Sequence, residues 1–205
     1  MLEQQADRVM ELSEWSQRWE ENKIGFHQPG VHRLADLGHS VVGVEISETA
    51  IRQFFQENNM TFSEQDVPAV PGAKVFQNPE RSVSLYQCDL FSFSSAVAGR
   101  FGAIWDRGSL VAINPRDRNR YAALIVSLMA PDCRYLLDTL LYNPELYRGP
   151  PFFVPDEQVQ SLFGGRCDVE MLQSVDALTD RQRAWGLDAL TENVHLLTLK
   201  ADPIR

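Results

Sequence analysis

The sequence predicts an α/β fold with a doubly wound, mostly parallel sheet and an antiparallel pair of strands at its C-terminal edge. Helical stripes alternate with short apolar strands along the first two thirds of the chain, which is the order that a parallel sheet with crossover helices requires. Two strands with no clear helix between them, CDVEMLQSV and NVHLLTLK, follow near the C-terminus. Such a pair is typical of an antiparallel edge on an otherwise parallel sheet.

Composition indicates one globular domain over residues 1–205, with 44% hydrophobic and 23% charged residues. The net charge of -9 argues against nucleic acid as a partner, because phosphate binding needs clustered Lys and Arg. No apolar run is long enough to span a bilayer, and the N-terminus lacks the apolar core of a signal peptide. Cys88, Cys133 and Cys167 form no CxxC pair, which favours reduced thiols. We therefore expect a cytoplasmic monomer without nucleic-acid or membrane partners.

The first half of the chain contains two predicted helices and three predicted strands. Leu12, Trp15 and Trp19 fall three to four residues apart and predict a helix from about residue 3 to residue 21. The remaining predictions are a buried strand over 40–46 that contains Glu45, a helix in SETAIRQFFQENN, a loop over 59–80 broken by a short strand at 74–77, and a strand in SVSLYQCDLF.

The second half begins with an apolar strand over 101–105 that breaks at Asp106-Arg107-Gly108. A helix over about 118–129 and a strand in RYLLDTLLY complete another unit of the sheet. Prolines then enclose an extended segment, and a short helix ends at Phe163, ahead of the antiparallel pair.

Polar residues stand at the ends of three predicted strands: Glu45, Cys88-Asp89 and Asp106-Arg107. In an open parallel sheet the ligand crevice lies at the carboxyl ends of the strands. A carboxylate there can accept hydrogen bonds from ribose hydroxyls, and an Asp after the next strand can accept one from an adenine amino group. The pattern therefore predicts an adenosine site. The alternatives are helix caps, solvated loop residues and, for Asp106-Arg107, a structural ion pair or two unrelated exposed charges.

Other candidate groups are less informative. The Trp15 and Trp19 stripe fits a core face as well as a lid over a ligand. His27, His32, His39 and His195 show no metal-binding spacing, so we expect surface or capping histidines and no metal. The glycine-rich turn of a nucleotide-binding unit is also missing, since the glycines of GFHQPG follow a helix rather than a strand.

Several strings resemble the thiopurine S-methyltransferases of vertebrates: WSQRWEENKIGFHQ, GHSVVGVEIS, KVF, SLYQCDLF, FGAIWDRGSLVAINPRDR, RGPPFFVP and AWGLDAL. They span nearly the whole chain. The resemblance implies a Rossmann-like class I methyltransferase fold, S-adenosylmethionine as methyl donor, no metal, and small aromatic or heterocyclic thiols, thiopurines among them, as acceptors. The weak edge-pair signal and the missing glycine fingerprint disfavour the alternative of a dehydrogenase.

The resemblance also implies roles for individual residues. Residues 1–30 would cover the cofactor site. The implied cofactor contacts are Trp15, Trp19, Phe26, Glu45 at the ribose, Asp89 and Leu90 at the adenine, and Arg107. The implied acceptor contacts are Phe26, His27, Arg107 and Arg181, and Asp106 is a candidate to orient water.

This chain departs from the family pattern between Leu34 and Ala35, where VHRL runs directly into ADLGHS. Family members place a strand, a cofactor-binding turn and parts of two helices there, a block of about 30 residues. The resemblance therefore implies that the first strand of the sheet is deleted, together with backbone donors for the methionine end of the cofactor. We expect weak or no binding of S-adenosylmethionine by this form, and a non-catalytic short form is the alternative function.

Overall fold

The computed structural model describes residues 9–21 and 32–201. These residues form two compact units, one within Met10–Gly99 and the other within Arg100–Arg205. Each unit contains a four-stranded sheet of its own. None of the described helices combines the length and the apolar character that a bilayer crossing needs.

The first unit has a mixed sheet in the order β1-β4-β3-β2, in which β1 and β4 run parallel and the other neighbours antiparallel. Its elements are α1 (Leu12–Glu20), α2 (His32–Asp36), β1 (Val41–Glu45), α3 (Glu48–Glu57), β2 (Ser63–Asp66), β3 (Lys74–Gln77), β4 (Val83–Gln87), a 3-10 turn (Leu90–Ser92) and α4 (Ser95–Ala98).

Helix α3 carries the apolar stripe that the sequence predicts. Ile51 and Phe55 are buried in one cluster with the strand residues Phe76 and Val83. The Ala50 N–H donates to Ser47 Oγ at 3.2 Å, so Ser47 caps the helix although no full capping box is present. The predicted helix is confirmed, and it positions the end of β1 just before its first turn.

The second unit has a sheet in the order β5-β6-β8-β7, in which β5 and β6 run parallel and the other neighbours antiparallel. Its elements are β5 (Phe101–Asp106), two 3-10 turns (Leu110–Ala112 and Pro115–Asp117), α5 (Arg118–Leu128), β6 (Met129–Leu141), α6 (Asp156–Phe163), β7 (Cys167–Asp176), α7 (Asp180–Arg183) and β8 (Thr191–Leu199). The predicted antiparallel pair at the C-terminal edge is confirmed as β7 and β8.

The prediction of one mostly parallel sheet is wrong for the described residues, because four of their six strand pairings are antiparallel. One cause is the hairpin of β2 and β3, which lies in the segment predicted as a loop. β3 matches the predicted short strand, but β2 consists of four exposed polar residues and has no apolar signal. The assignment of residues 1–205 to a single domain stays a prediction.

The junction between Leu34 and Ala35 lies inside helix α2. The Leu37 N–H donates to the Arg33 carbonyl and the His39 N–H to the Leu34 carbonyl, so hydrogen bonds cross the junction. Gly38 ends the segment at φ +88°, a conformation that favours glycine. The residues on the two sides of the junction thus continue as one short helix. No strand precedes β1 within residues 9–21 and 32–40.

Candidate functional site

Two of the predicted carboxylates meet at the carboxyl end of the parallel pair β1 and β4. The register pairs Glu45 with Gln87, and the Cys88 N–H donates to the Glu45 carbonyl at 3.1 Å. Asp89 follows one residue later. The structure therefore brings Glu45 and Asp89 to the same edge of the first unit, where an open sheet binds its ligands.

Both carboxylates also make local hydrogen bonds. The Ser47 N–H donates to Glu45 Oε1 at 2.7 Å, and the Phe91 N–H donates to Asp89 Oδ1 at 2.9 Å. Burial raises the pKa of Glu45, and the backbone donors of Ser47 and Ile46 oppose that shift. Leu90 begins the 3-10 turn that Asp89 caps. The capping interpretation is thus correct for Asp89, whereas Glu45 accepts from the N–H of Ser47, the residue that caps α3.

The tryptophans of α1 occupy different environments. Trp19 is buried, in a helix that packs against α3, which agrees with the core interpretation. Trp15 is half-buried, and the guanidinium carbon of Arg18 lies 5.5 Å from the centre of its ring. Phe26 and His27 lie outside the described residues, and so does most of the predicted cover segment.

Asp106 ends β5 as a buried carboxylate with four donors. Its Oδ1 accepts from the N–H groups of Ser109 and Leu110 at 3.0 and 3.1 Å. Its Oδ2 accepts from the hydroxyls of Tyr121 and Tyr135 at 2.5 and 2.8 Å. Burial raises the pKa of Asp106, whereas these hydrogen bonds lower it. The geometry anchors the loop after β5, and the role of orienting water stays a prediction.

Arg107 follows Asp106 and faces two carboxylates. Its Nε lies 3.1 Å from Asp138 Oδ2 on β6, and a terminal nitrogen lies 3.6 Å from Glu192 Oε2 on β8. Sequence reasoning named neither acid. Asp138 carried a signal, because it interrupts the apolar strand RYLLDTLLY, but Glu192 did not. Arg107 does form ion pairs, but its partners are Asp138 and Glu192, so the predicted pair between Asp106 and Arg107 is wrong.

Arg181 lies on the exposed surface of α7 and covers an aromatic stack. Its guanidinium carbon is 5.4 Å from the centre of the Trp185 ring, which stacks on Tyr147 at 4.8 Å and 15°. The hydroxyl of Tyr147 donates to the Pro150 carbonyl at 2.5 Å. These contacts place Arg181 and the Gly-Pro-Pro segment around one aromatic cluster in the second unit.

The expectation of surface or capping histidines is wrong for His195, which is 2% exposed. Its place in β8 turns it toward α6, where its Nε2 lies 3.2 Å from Asp156 Oδ1. The same oxygen accepts from Asn193 Nδ2 at 2.9 Å. Strand alternation, rather than the residue type, decides this burial. In the described part of the chain, no three His, Cys, Asp or Glu side chains are grouped to hold a metal ion.

The family described as "Thiopurine S-methyltransferase (TPMT)" matches residues 30–200 of this chain. A Danio rerio protein described as "Probable thiopurine S-methyltransferase" is 52% identical over 227 residues, covering 96% of this chain and 98% of the relative. The chain belongs to the thiopurine S-methyltransferase family. A "Thiopurine S-methyltransferase" of Oryctolagus cuniculus is 43% identical over 229 residues, covering 97% of this chain and 94% of the relative.

Solved structures show the same class I methyltransferase fold. A SAM-dependent methyltransferase from Anabaena variabilis aligns at a TM-score of 0.53 with 11% identity, covering 94% of this chain and 96% of that chain. The [4+2]-cyclase SpnF aligns at a TM-score of 0.53 with 13% identity, covering 83% of this chain and 70% of that chain. Since a cyclase shares the fold, these two similarities establish architecture and leave the reaction to the sequence relatives.

The alignments also contain positions for which this chain has no residue. The alignment with the Danio rerio relative has 227 positions but includes only 96% of the 205 residues here, so about 30 positions have no residue in this chain. The alignment with the Oryctolagus cuniculus relative leads to the same figure. That length is what one strand with its connecting helix requires.

Proposed function

We propose that this chain transfers the methyl group of S-adenosylmethionine to the sulfur of small aromatic and heterocyclic thiols, thiopurines among them. The observation that carries the proposal is the 52% identity with a relative over 96% of the chain. We predict that the protein acts as a cytoplasmic monomer.

The adenosine end of the methyl donor fits the edge formed by Glu45 and Asp89. A ribose offers hydroxyl donors and an adenine offers an amino donor, and carboxylate oxygens accept both. Glu45 accepts from the Ser47 N–H through Oε1 and Asp89 from the Phe91 N–H through Oδ1, and neither side chain is fully buried. We assign Glu45 to the ribose and Asp89 with Leu90 to the adenine.

The acceptor end fits Arg107 and Arg181. Both are permanent cations, and a thiol that reacts as its thiolate is stabilised by nearby positive charge. The bound donor supplies a methyl group on a positively charged sulfur, which is a good leaving group. The main contributions of the chain are therefore alignment of the acceptor and exclusion of water, and neither a metal nor a covalent intermediate is required.

Titration calorimetry with S-adenosylmethionine and a methyl-transfer assay with 6-mercaptopurine test the proposal. Glu45→Gln is expected to weaken donor binding about 10- to 100-fold, because a hydrogen bond to a charged group contributes about 1.5–3 kcal/mol. Glu170→Gln, an exposed position on β7, is the matched control and should bind as the native chain does. Equal affinity of the native chain and Glu45→Gln would remove Glu45 from the site.

A second candidate is a folded form that does not bind the donor. It is favoured by the gap of about 30 aligned positions and by β1, which pairs with β4 alone among the described strands. The missing block is where the family places backbone donors for the methionine end of the cofactor. A native chain with intact circular dichroism, no calorimetric response to the donor and no turnover would favour this candidate.

A further inference from the structure

The charge around Arg107 differs from what an anionic acceptor requires. One guanidinium faces two carboxylates, at 3.1 Å for Asp138 and 3.6 Å for Glu192. With both acids ionised, the group carries a net charge of minus one by formal count. An acceptor that arrives as an anion is therefore repelled by the group as a whole, whereas a neutral thiol is not.

The position of Asp138 is fixed by strand pairing. β5 and β6 run parallel, and Asp106 at the end of β5 pairs with Leu137. Asp138 is the next residue along β6, so Asp138 and Arg107 both stand immediately beyond this last pair. This is the carboxyl edge of the only parallel pair among the described strands of the second unit, where ligands of open sheets bind.

Asp138 is also mostly shielded from solvent, with 11% of its side chain exposed. Its register partner on β8 is Val194, whereas Glu192 pairs with Leu140 two residues further along β6. Asp138 and Glu192 thus share one face of the sheet, and the cluster of His195, Asn193 and Asp156 belongs to the other face.

We propose that Asp138 accepts the proton of the acceptor thiol and that Arg107 then neutralises the thiolate. The assignment rests on the proposed function and adds a proton acceptor to it. The S–H bond breaks, the proton bonds to a carboxylate oxygen of Asp138, and the sulfur retains the electron pair. That pair forms the new bond to the methyl carbon, while the bond between methyl and donor sulfur breaks and its electrons remain on the donor sulfur. The proton afterwards leaves Asp138 to solvent.

Protonation of Asp138 couples the two parts of this step. Once Asp138 is protonated, it no longer offsets the positive charge of Arg107. That charge then becomes available to the thiolate. Burial, Glu192 and Asp106 raise the pKa of Asp138, and Arg107 lowers it. A carboxylate whose pKa lies above its ordinary value is a stronger base toward a thiol.

Asp138→Asn separates this role from a purely structural one. The amide oxygen of Asn still accepts from Arg107 Nε, but the side chain cannot take a proton from sulfur. The matched control is Asp132→Asn, an exposed position on the same strand. Each variant is compared with the native chain in kcat/KM for two acceptors: thiophenol below the pKa of its thiol, and 4-nitrothiophenol, which is ionised under the same conditions.

We expect Asp138→Asn to lower kcat/KM for the protonated acceptor by about 100-fold, within the range of general base catalysis. The ionised acceptor should keep or gain kcat/KM, because Arg107 is less compensated. Equal losses with both acceptors would show a structural role only, and no loss with either would also overturn the assignment. If neither the native chain nor Asp132→Asn turns over either acceptor, the proposed function itself is wrong, and the assignment of Asp138 is wrong with it. Circular dichroism establishes that each variant is folded.

Discussion

Removal of the Asp106 carboxylate is the perturbation whose effect the structure defines best. Asp106 is 2% exposed and accepts two backbone N–H groups and two tyrosine hydroxyls. Asp106→Ala leaves all four donors without this acceptor. Asp106→Asn keeps one oxygen for the two N–H groups, and its amide can donate to the hydroxyls of Tyr121 and Tyr135, which rotate to accept.

The expected changes in the free energy of unfolding follow from these four donors. An orphaned buried donor costs about 1–3 kcal/mol, and the hydroxyls can turn toward other partners more easily than the fixed N–H groups. We expect Asp106→Ala to lower the free energy of unfolding by about 3 kcal/mol. Asp106→Asn should cost about 1 kcal/mol or less, because it keeps the N–H bonds and removes a charge whose burial raises the pKa.

The pH dependence has a defined sign. Since the pKa of Asp106 is raised in the folded state, the folded protein binds this proton more tightly than the unfolded chain does. The contribution of Asp106 to stability is therefore largest below its ordinary pKa of 3.8 and declines as pH rises toward the folded value. Asp106→Asn should lack this decline.

Urea unfolding followed by tryptophan fluorescence and circular dichroism measures both effects. Asp168→Ala, an exposed position on β7, is the control and should change the free energy of unfolding by less than about 0.5 kcal/mol. The reasoning is refuted if Asp106→Ala costs less than about 1 kcal/mol, below the range for even two orphaned donors, or if Asp106→Asn costs as much as Asp106→Ala.

Three further predictions concern other parts of the chain. Ser47→Ala removes the hydroxyl that caps α3 and should lower the free energy of unfolding by about 1 kcal/mol in the same urea assay. Trp105→Lys replaces an indole that is 52% exposed on β5 and should reduce self-association at high protein concentration, measured by light scattering. Arg181→Ala removes the guanidinium that lies 5.4 Å from the centre of the Trp185 ring, a contact of about 0.5–1 kcal/mol, and should raise KM for the acceptor in the methyl-transfer assay.

Strand ends were predictable from the sequence, whereas the partners of the charged residues were not. Glu45 ends one apolar strand and Asp89 follows another, and parallel pairing alone brings them to one edge. Arg107 meets Glu192 only because β6 and β8 pair antiparallel in a particular register. That register is set by distant segments of the chain and leaves no local pattern around Glu192.

Polar strands and buried polar side chains were missed for a related reason. β2 has the sequence SEQD and pairs with β3 through backbone groups, so no periodic apolar signal marks it. His195 is buried because it occupies an inward position of β8 and meets Asp156 at the start of α6. Neither environment can be derived from residue type, since both depend on which elements pack together.

The residues missing from the alignment could affect folding, donor binding or both. The edge strands indicate that folding and donor binding are affected differently. β5 pairs with β6 alone among the described strands, and Gly102, Ala103 and Trp105 on it are exposed. Water can satisfy the backbone groups of an exposed edge, so the cost of unpaired N–H and C=O groups falls far below that of buried ones. The fold can therefore persist without the block of about 30 residues. For donor binding, the family resemblance implies that the missing residues include backbone donors to S-adenosylmethionine, so we expect the calorimetric titration to show a folded chain with weakened affinity for the donor.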